Sequence, residues 1–163
     1  LVKGIVVRGK NVLEKAQRFL RYIVLRLVRV NDSAPRVAAG FSLGVFLGVF
    51  PTFGIAIPIS FVLATLFRFN RASAVVGSLI MNPLTTPLFW SASATVGGII
   101  FSEDTRKIMD MWEKGEKLYT FSKATLIYLS GNLIVSTIMA LAGYFFALKA
   151  VRAYRKRKGL KSR

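Results

Sequence analysis

Charge and hydrophobicity are segregated along this chain. Val37 to Phe67 is a run of 31 residues without a charge, Ala72 to Ser102 is another of 31, and Ala124 to Leu148 is a third of 25. About 20 mostly apolar residues suffice to cross a bilayer, so all three runs are long enough. The pattern predicts an all-α membrane protein. Its expected parts are an N-terminal amphipathic interfacial helix, two Pro/Gly-broken hydrophobic runs of which at least one is re-entrant, and one continuous C-terminal transmembrane helix.

The first two runs are interrupted. Pro51 and Gly54 stop a helix that begins near Val37 after about 14 residues, or roughly 21 Å, short of the roughly 30 Å hydrocarbon thickness. The chain resumes as IAIPISFVLATLF and ends at Arg68-Phe69-Asn70-Arg71. The second run is broken by Asn82-Pro83-Leu-Thr-Thr-Pro87. Each run is thus expected as two helical pieces around a break, which reads as a degenerate repeat. Gly40, Gly44 and Gly48 recur every four residues on one helical face, where missing side chains let two backbones approach closely. Tolerated glycine is the alternative.

Outside the runs the chain divides into residues 1–33 as a basic amphipathic helix, 34–102 as a broken-helix membrane core and 103–123 as a polar loop. Residues 124–149 form the transmembrane helix and 150–163 a basic tail. In residues 3 to 30, Lys3, Arg8, Lys10, Lys15, Arg18, Arg21, Arg26 and Arg29 fall within roughly 160° of arc at about 100° per residue. A basic stripe opposite an apolar face suits the membrane interface; packing on other protein would use the same face. In the motif NDSAP, Asp32 or Ser33 is placed to cap the next helix. Asn132, Ser136 and Ala140 in the third run are spaced for close packing.

Composition sharpens this picture. The chain has 163 residues, a formal net charge of +17 and a mean hydropathy of +0.50. Eight basic residues lie in Lys3 to Arg29 and eight in Lys149 to Arg163, whereas five of the seven acidic residues lie between Glu103 and Glu116. By the positive-inside bias, both ends are expected in the cytoplasm and the acidic loop on the other side. One crossing by the third run then requires an odd number of crossings between Val37 and Phe101. Basic ends also attract anionic headgroups. No nucleic-acid reading motif accompanies the charge, so nucleic acid is not expected as a partner.

The chain has no cysteine and no histidine. From Val37 to Ser102 there is no Asp or Glu either, so general acid–base catalysis has no agents there. The expectation is no enzyme, no metal and no cofactor. Binding chemistry is better supplied. Non-helical backbone cannot face lipid, so a break at membrane depth is buried in protein or lines a wet cavity. Corresponding interrupted helices point to a transporter-like site, and the start of a half-helix favours an anion. Thr52, Gly54, Asn82, Thr85 and Thr86 are the expected ligand-binding residues at the breaks. Arg68 and Arg71 are the only charges between Val37 and Ser102. They either bind phosphate bidentately at the cavity mouth or snorkel to headgroups. Plain proline kinks, and a water pore built on the Asn-Pro start, are the other readings of the breaks.

At RVAAGFSLGVFLGVFPTFG, FRFN and NPLTTP the chain resembles a family of small bacterial membrane proteins, domain of unknown function number 2062. The resemblance covers Ala34 to Phe101, through Gly40, Gly44, Gly48, Pro51, Gly54, Asn70, Asn82, Pro83, Thr85 and Pro87. Where many relatives place a polar residue after the first-break glycine, this chain has Ile55. The family implies a membrane fold, residence in the bacterial inner membrane, and no established activity. Fusion of some relatives to glycosyltransferases implies lipid-linked sugar or polyprenyl-phosphate metabolism.

Two functions follow as expectations. One is binding or translocation of an anionic lipid such as a polyprenyl phosphate, in a homo-oligomer because three hydrophobic segments supply few walls. The other is a non-transporting scaffold that anchors a partner such as a glycosyltransferase.

Overall fold

The computed structural model describes residues 32–52, 54–81, 84–102, 114, 117–157 and 159. Among them are five helices and no strand: α1 (Ala34–Val49), α2 (Ala56–Leu66), α3 (Arg71–Ser78), α4 (Thr86–Phe101) and α5 (Lys117–Arg157). The amphipathic helix expected over residues 3 to 30, Asn82 with Pro83, most of the acidic loop and the end of the basic tail lie outside the described residues.

Both uncharged runs consist of two helical pieces, and local chemistry explains each boundary. Pro35 stands in the first turn of α1, where its missing N–H costs nothing. Phe50 is extended (φ −64°, ψ 142°) because a following proline disfavours helical geometry at the residue before it. Gly54 then takes φ +89°, a turn conformation that a side chain would strain. Pro87 opens α4 as Pro35 opens α1. Ser33 occupies the cap position of α1 without a side-chain cap bond. The expected cap is therefore absent, and the Asp32 carboxylate instead accepts from Asn70 Nδ2 at 2.8 Å.

Hydrogen bonds fix the path of the chain. After α2, the Asn70 N–H donates to Arg36 O at 3.3 Å, so the first run doubles back to where it began. From that end α3 runs parallel to α1. A Cβ added to Gly40 would collide with Asn70 O, one on Gly44 with Ala74 O, and one on Gly48 with Ser78 O. Gly77 approaches the α1 backbone at Phe41 from the other side. The glycine register thus sets α1 and α3 in backbone contact, where any side chain would force them apart. Beyond the second break α4 continues onward and does not return.

The long helix α5 has 41 residues, about 60 Å at 1.5 Å per residue. It starts at Lys117, seven residues before the expected Ala124, and continues to Arg157, past the expected end at residue 149. Charge limits burial and not helix formation, since lysine and arginine are good helix formers. Its C-terminal half runs antiparallel to α1: Ser42 Oγ donates to Ala140 O at 2.8 Å, and buried Arg155 donates to Asp32 O at 2.6 Å. Its N-terminal half runs antiparallel to α4, with Gly97 against Ile127 and Gly131 against Ser93. α1 and α4 therefore lie one after the other along a single continuous helix. Among the described residues α5 is the one helix long and apolar enough to cross a membrane.

Candidate functional site

The two breaks meet. A partly open cavity of about 540 Å³ is lined from the first break by Gly48, Phe50, Thr52, Gly54 and Ile57 and from the second by Ser78, Leu79, Thr86 and Trp90, with Tyr128 of α5 closing it. Among the described residues no charged side chain lines it. Two helices (α1 and α3) end at this cavity and two others (α2 and α4) begin there, so positive and negative ends of helix dipoles converge.

The polar groups of the breaks are turned inward. Thr52 Oγ1 donates to Leu47 O at 3.2 Å, and Thr85 Oγ1 donates to Ile80 O at 2.8 Å. Leu47 O is a last-turn carbonyl of α1, left without a partner inside the helix, and Ile80 O lies two residues past the end of α3. Val49 O accepts from Asn132 Nδ2 at 3.1 Å, and the same nitrogen donates to Ser93 Oγ at 3.1 Å. Asn132 is fully buried, and its Oδ1 has no hydrogen-bond partner among the described residues. One carboxamide on α5 thus holds the end of α1 and the body of α4 together.

A second concavity, of about 410 Å³, lies at the far end of α2 and is lined by Asp32, Thr65, Arg68, Asn70 and Arg71. Two guanidiniums and one carboxylate share it, leaving a net positive charge. Arg68 has φ +56° at the position after α2 where glycine is usual. Its N–H donates to Thr65 O at 3.3 Å, and Phe69 N–H donates to Ala64 O at 2.8 Å, which closes the helix in the Schellman pattern. Among the described residues the Arg68 side chain makes no hydrogen bond or ion pair that would offset the strain. Arg71 lies with its guanidinium 5.8 Å from the Phe61 ring centroid. Asn70, almost fully buried, caps α3 by accepting from Ser73 N at 2.8 Å.

Thr52, Gly54 and Thr86 therefore share the break cavity, with Thr85 beside it. Arg68 and Arg71 do not stand at its mouth as expected. The 11 residues of α2 separate the two places by about 16 Å, because the chain reverses at the first break and carries the arginines back to the start of α1. Asn82 lies outside the described residues. Sequence reasoning missed Asn132 as a bracket, and Asp32, Asn70 and Arg155 as a latch. A carboxamide inside a 25-residue uncharged run was the available signal for the first; nothing local marked the second. Among the described residues no three acidic, histidine or cysteine side chains group as a metal site.

These features define an all-helical protein in which two interrupted helical units share one long apolar helix. The chain belongs to the family described as "Uncharacterized protein conserved in bacteria" (DUF2062), whose model matches residues 17–159. That match extends well past the motifs of residues 34 to 101 and takes in α5. No curated protein and no solved structure matches the chain.

Proposed function

We propose that this is an integral membrane protein, resident in the bacterial inner membrane, that binds an anionic lipid such as a polyprenyl phosphate. The observation that carries the reading is the separation of charge from cavity. An electropositive concavity with Arg68 and Arg71 lies at one end of α2, and an uncharged cavity lies at the other. Between them α2 exposes Ile57, Phe61, Val62 and Leu66. A lipid has the same order: a charged head, then an apolar chain. Large apolar patches on a protein surface signal contact with lipid or protein.

In this reading the first run is re-entrant. It enters beside Asp32, turns at Gly54 and returns at Arg68. The second run crosses in two pieces, α3 and α4, and α5 crosses back. The basic tail and Arg68 then share the cytoplasmic face, consistent with the charge bias. The breaks are compatible with membrane depth because Thr52, Thr85 and Asn132 hydrogen-bond carbonyls that lipid would leave unpaired. Interrupted helices meeting at one cavity are also the architecture on which transport is built, so binding is the first step of a proposed translocation.

Titration of the protein in nanodiscs with phosphatidic acid and with phosphatidylcholine tests the binding. Preference for the anionic lipid is expected, reduced in Arg68→Ala and Arg71→Ala and weakened by salt, because exposed charges are screened. Equal binding of both lipids by all three proteins would leave the scaffold function instead.

A further inference from the structure

We propose that the break cavity is a chain subsite, which makes the preferred ligand an anionic lipid whose chain is longer than one leaflet of the bilayer. The inference rests on the lipid-binding reading above for the position of the headgroup, and on the break cavity for the rest.

The distance decides the class of lipid. α2 has 11 residues, so a chain running from the arginines along its exposed face travels about 16 Å before it meets the cavity. Half of a roughly 30 Å hydrocarbon core is about 15 Å. The tail of an ordinary phospholipid therefore ends about where the cavity begins. A chain that exceeds one leaflet continues past Ile57 and enters between Leu79 and Trp90.

The cavity suits such a chain. Its volume of about 540 Å³ lies within the roughly 300–1,000 Å³ of small-ligand sites. Its lining is uncharged, and the hydroxyls of Thr52 and Thr85 beside it donate to backbone carbonyls. An ionic headgroup would find no counter-charge there, whereas a hydrocarbon chain loses nothing. Arg68 and Arg71 supply the counter-charge at the other end.

The test uses the full-length protein in detergent, with native mass spectrometry as the readout. The probes are undecaprenyl phosphate, farnesyl phosphate and neutral undecaprenol. The long phosphate should bind at least about tenfold more tightly than the short one, since two further buried methylenes already account for that factor. Ile57→Trp enlarges a half-exposed wall residue and should abolish the preference for the long chain by weakening undecaprenyl phosphate more than farnesyl phosphate. Leu79→Trp narrows the same cavity from α3 and repeats the test should the first variant fold poorly. Equal affinity for the two phosphates in the wild type, or equal losses for both in the tryptophan variants, would overturn the chain subsite. Failure of the headgroup reading looks different: Arg68→Ala would be silent, and undecaprenol would bind as well as its phosphate while staying sensitive to Ile57→Trp.

Discussion

Replacing Arg68 with glycine should make the protein more stable and worse at binding. Arg68 sits in the left-handed region at φ +56°, where an L-residue costs about 1–2 kcal/mol. Glycine removes that cost but has more freedom to lose on folding, which takes back about 0.5–1 kcal/mol. The expected net gain is about 0–1.5 kcal/mol, centred on about 0.7 kcal/mol. For a chain of this size 1 kcal/mol moves Tm by about 2–4 °C, so a rise of about 1–4 °C is expected. Losing a hydrogen bond to a charged phosphate costs about 1.5–3 kcal/mol, or roughly ten- to more than a hundredfold in affinity. Arg68→Ala is the control, since it removes the guanidinium and keeps the strain. Both variants should bind anionic lipid equally weakly, and only Arg68→Gly should melt later. The assay is thermal unfolding in one detergent, followed by lipid titration of the same preparations. A glycine variant that melts earlier than wild type would show that the side chain holds the hairpin together. Undiminished binding in both variants would remove Arg68 from the site.

Gly44→Ala should destabilise by about 1–3 kcal/mol, as overpacking does, because its Cβ meets the Ala74 carbonyl, whereas Gly143→Ala, facing only side chains at 3.3 Å or more, should melt like wild type; equal Tm for the two would refute close α1–α3 packing. Asn132→Leu leaves Val49 O without its donor and should cost about 1–3 kcal/mol, read by thermal unfolding; an unchanged Tm would show that the bracket adds nothing. With no native cysteine, single-cysteine labelling in sealed vesicles is clean: Ala72→Cys and Ser162→Cys should react from one side and Ser102→Cys from the other. Labelling of Ala72→Cys together with Ser102→Cys would refute the re-entrant first run.

The breaks were legible in the sequence because proline and glycine act locally. Pro51, Gly54 and Pro87 determine their boundaries through their own dihedral angles and those of their neighbours. The glycine face was legible for a similar reason: three glycines four apart stay on one side of any helix. What they touch was not, because the partner backbone is α3, some 30 residues further along. That one run turns back was expected from the charge bias, but which of the two does so was hidden. A broken helix can kink or turn back, and the choice depends on the bonds of Asn70 with Arg36 and Asp32, which no local pattern announces. Once the chain turns back, Arg68 and Arg71 are carried away from the break, so an expected single site becomes two. The helix α5 runs past the uncharged run at both ends because charge marks where a helix leaves an apolar setting and not where it stops.

The uneven anchoring of the helices has a mechanical consequence. α1, α3, α4 and α5 are locked by glycine contacts in which backbone meets backbone, and Asn132 and Arg155 bolt α5 to the rest. By contrast α2 buries only Ser60 and Ala64, and a glycine turn at one end and a strained arginine at the other connect it to the body. Elements with few buried contacts open at the lowest free energy. In hydrogen exchange α2 should therefore lose its protection first, while α1 and α3 exchange together as one rigid slab. Among the described residues the fold is thus a locked body with one weakly anchored helix, and that helix joins the two concavities.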